Sequence, residues 1–182
     1  MKKLITTYLL LLLAIASQAQ YVTIPDNNFV KFLQAEFPTA MNGNQMDTTA
    51  SVIINTTEVH CDSNDINNLD GIQYFDSLQK LNCFENRLKN LPELPSSLLD
   101  LYCQDNQITT LPSLPKNLKN LYCSRNQLTS LPAFPDNLEL LYCDSNQLIN
   151  LPDFPDNLRR ISLVNNKLTS IPKLPERIFT FK

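Results

Sequence analysis

The sequence predicts a solenoid, in which short parallel strands stack into one sheet and extended returns, not long helices, join them. Three observations carry this reading. Residues 91–110, 111–130, 131–150 and 151–170 are variants of one 20-residue unit, and Cys83, Cys103, Cys123 and Cys143 mark its period. Units of that size bury an apolar face only against their neighbours. Within a unit, Leu121-Tyr122-Cys123 and its counterparts alternate as a short strand does, with Leu121 and Cys123 inward and Asn120, Tyr122 and Ser124 outward. Each unit also carries two prolines three residues apart, Pro92 and Pro95 through Pro172 and Pro175. They forbid a long helix on the return side and favour a polyproline-like path.

Taken from its start, the chain divides into three parts. In residues 1–19, Lys2 and Lys3 precede an apolar run from Leu4 to Ile15 and then Ser17-Gln18-Ala19, which reads as a secretory signal peptide cut before Gln20. The run is short for a membrane span, so the protein is read as not membrane-spanning. Residues 20–55 break the repeat. Ile24-Pro25-Asp26 reads as a helix start with Asp26 as cap, followed by Phe29, Val30, Leu33 and Phe37 at helical spacing and stopped by Pro38. This segment is expected to cover the apolar end of the first repeat, because a terminal unit needs a different outer face. Residues 56–182 hold about six repeats and a partial seventh that begins at Ile178 and Phe181. Asn64, Asn86, Asn106, Asn126, Asn146 and Asn166 fall where each unit turns inward, and buried amides there are expected to bond backbone groups of their own and the next turn.

The pattern L-x-x-L-x-C-x-x-N-x-L, running from Leu118 through Leu121, Cys123 and Asn126 to Leu128, resembles a leucine-rich repeat. The added L-P-x-L-P element is similar to the short repeats of secreted bacterial leucine-rich proteins, including type III effectors, and the I-P-D-x-x-F opening resembles the cap that precedes such repeats. The resemblance implies a parallel sheet on a concave side, a nearly helix-free convex side and a short helical N-terminal cap. It further implies a bacterial, secreted or cell-surface, non-enzymatic module that binds a protein ligand, with a glycan as the lesser alternative. Two rival readings stay open. One is a structural or adhesion element. The other is the repeat part of an effector whose C-terminal ubiquitin-ligase-like domain lies elsewhere, although the cleavable signal points to a different export route.

The residues themselves offer little chemistry. The five cysteines share an inward slot that Leu163 fills in the next unit, so they read as small apolar fillers, reduced and buried. Their parallel side chains suit neither disulfides nor the short paired spacings of zinc sites. His60 is the only histidine and reads as a solvated strand residue without a nucleophile poised against it. With glycine only at 43 and 71, a phosphate-binding loop has no material, and no cofactor is expected. Residues 39–51 keep a single carboxylate, Asp47, too few oxygens for calcium, so no metal is expected.

The outward strand positions carry more. In order they read His60, Asn82, Tyr102, Tyr122, Tyr142 and Ser162. Around the three tyrosines the register places Phe84, Gln104, Arg125, Asp144 and Arg160, with Leu99, Leu140 and Val164. The residues leave two readings open: cross-strand tyrosines that stabilise the sheet, or a tyrosine and arginine patch that anchors a partner. Charge narrows the partner. Residues 20–77 hold one basic and eight acidic side chains, residues 78–182 twelve basic and ten acidic. Neither part has the basic stripe that nucleic acid requires. The last unit shows no polar cap, which predicts fraying, end-to-end self-association or a natural continuation of the chain.

Overall fold

A computed structural model describes residues 19–181. The segment read as a signal peptide lies outside the described residues, apart from Ala19. Seven strands form one parallel sheet: β4 (Glu58–His60), β5 (Lys80–Asn82), β6 (Asp100–Tyr102), β7 (Asn120–Tyr122), β8 (Leu140–Tyr142), β9 (Arg160–Ser162) and β10 (Thr180–Phe181). They lie in sequence order, each paired with the next. The register repeats without slippage, so that Leu81, Leu101, Leu121, Leu141 and Ile161 stand in one line and Tyr102, Tyr122 and Tyr142 in another. The inward line is completely buried and continues through Leu98, Leu118, Leu138 and Leu158 behind it. Burying each such leucine is worth about 1.5–3 kcal/mol, and in a stack each one is buried by the units above and below it.

The asparagines form a ladder. Asn126 Nδ2 donates to Cys123 O of its own turn at 3.2 Å and to Cys103 O of the preceding turn at 3.0 Å, while its Oδ1 accepts from Ile108 N at 2.9 Å. Asn106, Asn146 and Asn166 repeat the pattern one unit apart. The bridge thus runs back to the preceding turn, whereas the sequence reading had it run forward. Asn64, in the first repeat, is exposed; its side-chain amide donates locally to Asp62 O, and its backbone N–H donates to Asn86 Oδ1 at 3.2 Å. The residue before each of these asparagines sits in the left-handed region: Ser63, Glu85, Asp105, Arg125, Ser145 and Asn165, with φ between 54° and 58°. None is glycine, so the sequence carried no sign of this turn.

The return side holds no regular element in the L-P-x-L-P stretches. Each closes with a turn in which a leucine N–H meets the carbonyl three residues back, as in Leu118 N to Pro115 O at 3.0 Å. A second, exposed asparagine ladder follows: Asn117, Asn137 and Asn157 each donate to the carbonyl of residue 96, 116 or 136. The nearest approach to a helix among the repeats is a 3-10 turn, Ile72–Tyr74.

The first repeat is covered by a short helix and a small second sheet. Helix α1 spans Asn27–Glu36 with Asp26 as its cap, its Oδ1 accepting from Asn28 N and Phe29 N at 2.8 Å. Asp26 Oδ2 accepts from Asn67 N at 2.8 Å, which fixes the helix start to the repeat stack. Burial alone would raise the Asp26 pKa, but the N–H groups of Phe29, Asn67 and Asn28 outweigh it and hold the carboxyl below its ordinary value. Phe29, Val30 and Leu33 are buried as expected, and Phe37 meets Phe75 edge-on at 5.5 Å. The strands β1 (Tyr21–Thr23), β2 (Met41–Asn42) and β3 (Gln45–Asp47) form an antiparallel sheet of order β1-β3-β2 that the sequence reading lacked. Gly71 is required where this cap meets the repeats: its φ is 118°, and a Cβ there would lie 2.5 Å from Ile24 Cδ1.

Candidate recognition surface

Strand geometry puts every second residue of β4–β9 on the solvent side of the sheet, and the parallel register lines these residues up. The central line is aromatic. Tyr102 and Tyr122 stack with ring centroids 4.5 Å apart and planes 7° apart, and Tyr122 and Tyr142 do so at 5.2 Å and 2°. All three are half-buried. Burial, and then the neighbouring rings, push the Tyr122 phenol above its ordinary pKa. Lys80 Nζ lies 5.8 Å from the Tyr102 ring centre and closes one end of the stack. At the other end stands Ser162, which is buried and donates to Asp144 Oδ1 at 2.6 Å.

The flanks are organised by short polar links between adjacent units. Asp144 Oδ1 also accepts from Val164 N at 2.7 Å, and its own N–H donates to Ser124 Oγ at 3.1 Å. Arg125 forms a two-point ion pair with Asp105, with Nη2 to Oδ2 at 2.6 Å. Phe84 and Gln104 are half-buried beside the ridge, and Gln104 Oε1 is buried without a hydrogen-bond partner among the described residues. Arg160 stands apart from this group. It begins β9, and its guanidinium lies 5.7 Å from the Phe179 ring. Ser124, at the same repeat position as Phe84, Gln104 and Asp144, is 8 % exposed, and its Oγ accepts from Asp144 N. Lys80 and Asp100, which face solvent two residues before Asn82 and Tyr102, belong to the surface although the sequence reading passed over them. The rule that residues i and i+2 share a strand face finds both.

The inward cysteines contribute no reactive group. All five are free and buried, and burial pushes the Cys61 and Cys103 thiols up to about 12. His60 Nε2 lies 3.0 Å from Glu58 Oε2 on the exposed surface. Asp47 is occupied within its own turn, accepting from Thr49 N and Oγ.

With this geometry in hand, comparison with known proteins is informative at the level of fold. The chain matches no family model and no curated protein. Among solved structures it is similar to the leucine-rich-repeat domain of a Shigella effector, at 34 % identity and TM-score 0.64, over 68 % of this chain and 56 % of that one. It is also similar to YopM from Yersinia enterocolitica, at 30 % and 0.56, over 69 % and 32 %. For YopM from Yersinia pestis, a leucine-rich effector protein, the values are 30 % and 0.54, over 68 % and 41 %. The fold is a leucine-rich-repeat solenoid. In each case the chain spans less than two thirds of the similar protein's length. Among the described residues no helix is long and apolar enough to cross a membrane.

Proposed function

We propose that the protein is a secreted or cell-surface, non-enzymatic recognition module that binds a protein partner on its concave, solvent-facing sheet, centred on Tyr122. The carrying observation is the row of three parallel tyrosine rings on adjacent strands. Such rings offer rigid amphipathic contact area with little rotamer entropy left to lose. Phe84 and Gln104 extend the contact on one flank. Arg125, Asp144 and Arg160 set the orientation at the margin, since rim charges act more on orientation than on affinity. In this reading residues 20–55 cap the repeats and residues 56–182 form the binding unit. A glycan ligand is the lesser alternative.

One observation favours a second reading. The rings touch each other, so part of their value is to the sheet itself, as in a structural or adhesion element. Affinity capture with the wild-type chain and a Tyr102→Ala/Tyr122→Ala/Tyr142→Ala variant separates the two. Recognition predicts a protein retained by the wild type and lost from a variant that remains folded at the capture temperature, with Tyr122→Ala alone costing about 2 kcal/mol in a later titration. Equal retention by both would leave the ridge as sheet packing. End-to-end self-association is proposed as a secondary property, on the exposure of Ile171, Leu174 and Phe179. A sedimentation coefficient independent of concentration would exclude it.

A further inference from the structure

The solvent side of the sheet is electrically uneven along the solenoid. On β4–β6 and the turn that follows each strand, the outward carboxylates are Glu58, Asp62, Glu85, Asp100 and Asp105, against Lys80; Asp65 and Arg87, also exposed on these turns, pair with each other at 2.8 Å and cancel. On β7–β9 the corresponding charges are Arg125 and Arg160 against Asp144, interleaved with Leu140, Tyr142 and Val164. Most of the carboxylates on the first half meet neutral donors, which orient them and leave their charge in place. Asp62 accepts from Asn82 Nδ2 at 2.9 Å, Glu85 from Ser63 Oγ at 3.0 Å, and Asp100 from Asn120 Nδ2. Asp105 is neutralised by Arg125, and Glu58 lies 3.8 Å from Lys80.

We infer that the partner presents an extended cationic segment to this face, laid across the strands, with its basic residues over β4–β6 and its planar or apolar residues over β7–β9. The inference rests on the recognition reading above and adds to it the partner's charge and direction. Three strands at about 4.8 Å spacing span roughly 10 Å, and alternate side chains of an extended peptide lie about 7 Å apart. Two basic residues of one segment therefore fit over the acidic half while the next planar residue reaches the tyrosine ridge. Electron-rich ring faces add to the preference for cations, as Lys80 beside Tyr102 already illustrates. Polyanions, nucleic acid and sulfated glycans among them, are repelled from the same half.

The test uses three synthetic peptides, Arg-Ser-Arg-Ser-Phe, Glu-Ser-Glu-Ser-Phe and Ser-Ser-Ser-Ser-Phe, whose first, third and fifth side chains share one face when extended, titrated into the protein while its amide resonances are followed. The cationic peptide should shift residues 58–63, 80–85 and 100–105 and bind at least about tenfold more tightly than the other two in about 50 mM salt, an advantage largely lost at about 0.5 M. A Glu58→Gln/Glu85→Gln/Asp100→Asn variant should lose about tenfold for that peptide alone. Glu93→Gln/Asp153→Asn, on the return side, should lose nothing. Equal binding of the acidic peptide or of a heparin fragment, shifts confined to the return side, or an unchanged triple variant of unaltered melting temperature would each overturn the inference. Equal binding of the serine peptide with shifts at Tyr122 would overturn it too, while leaving the ridge as a recognition surface. If no peptide shifts this face, the charge assignment falls, and the capture experiment alone decides on recognition.

Discussion

Leu121 and Tyr122 are neighbours in the chain and belong to two different regions, the interior of the solenoid and the open side of its sheet. Along the interior line the residues are Val59, Leu81, Leu101, Leu121, Leu141 and Ile161, all apolar and at most 1 % exposed. Along the outer line two residues before the tyrosines they are Glu58, Lys80, Asp100, Asn120, Leu140 and Arg160, with every kind of side chain represented. The difference shows what repetition is for. An interior position must fill a space whose size the adjacent units fix, so the same volume recurs. An outer position answers to solvent or to a partner, so each unit is free to differ. Tyr102, Tyr122 and Tyr142 are the exception, repeated although they face out, and they are for that reason the place where packing and recognition have to be told apart.

Substitutions on either side of the boundary sharpen the contrast, beginning with the largest. Asn126→Leu removes the amide that joins two turns. It leaves the Ile108 N–H buried without a partner, while the Cys103 and Cys123 carbonyls keep Asn106 Nδ2 and Asn146 Nδ2 as donors. At about 1–3 kcal/mol for the orphaned N–H and about 0.5–1.5 kcal/mol for each of the two lost bonds, the loss should be about 2–6 kcal/mol by denaturant unfolding. The outer ladder offers the control, since Asn137 is exposed and makes one such bond, to Lys116 O, so that Asn137→Ala should cost well under about 1 kcal/mol. Leu121→Ala should cost about 2–5 kcal/mol, the range for a truncated, fully buried leucine.

Alkaline pH probes the interior without a mutation. The Cys61 and Cys103 thiols are pushed up to about 12 by burial, whereas an unfolded chain ionises its thiols near pH 8.5. The folded state therefore holds more protons above that point. Its stability is complete below about pH 8.5 and falls as pH rises toward 12, by about 2 kcal/mol per thiol by pH 10. Melting curves across that range should slope downward, and Cys103→Ala should flatten part of the slope. The smallest effect is expected outside. Tyr122→Ala should cost about 1–3 kcal/mol of stability, at about 0.5–1.5 kcal/mol for each of the two ring contacts it loses. A loss as large as that of Leu121→Ala would erase the distinction between the two regions.

Much of this was legible in the sequence because a repeat states its own register. The 20-residue period, the inward Leu121 line, the asparagine ladder and a helix opened by Asp26 all follow from spacing and residue type. The antiparallel sheet β1-β3-β2 was not legible, since strands of two or three residues are too short to show alternation. The left-handed turn escaped notice because Glu85, Asp105 and Arg125 occupy it where glycine would have announced it. On the candidate surface, the sequence supplied the tyrosine row and its flanking residues. It could not supply the ring stacking, or the pairing of Arg125 with Asp105, because both depend on contacts between units.

Oxidative footprinting of tyrosines tests the central claim most directly, once a partner has been captured. Tyr102, Tyr122 and Tyr142 lie on the sheet face, while Tyr21 and Tyr74 lie toward the cap and serve as internal references in the same chain. Recognition through this face predicts that the partner slows oxidation of the three ridge tyrosines severalfold and leaves Tyr21 and Tyr74 unchanged. Unchanged oxidation of the ridge with protection of Tyr21 or Tyr74 would contradict it and move the binding surface to the cap.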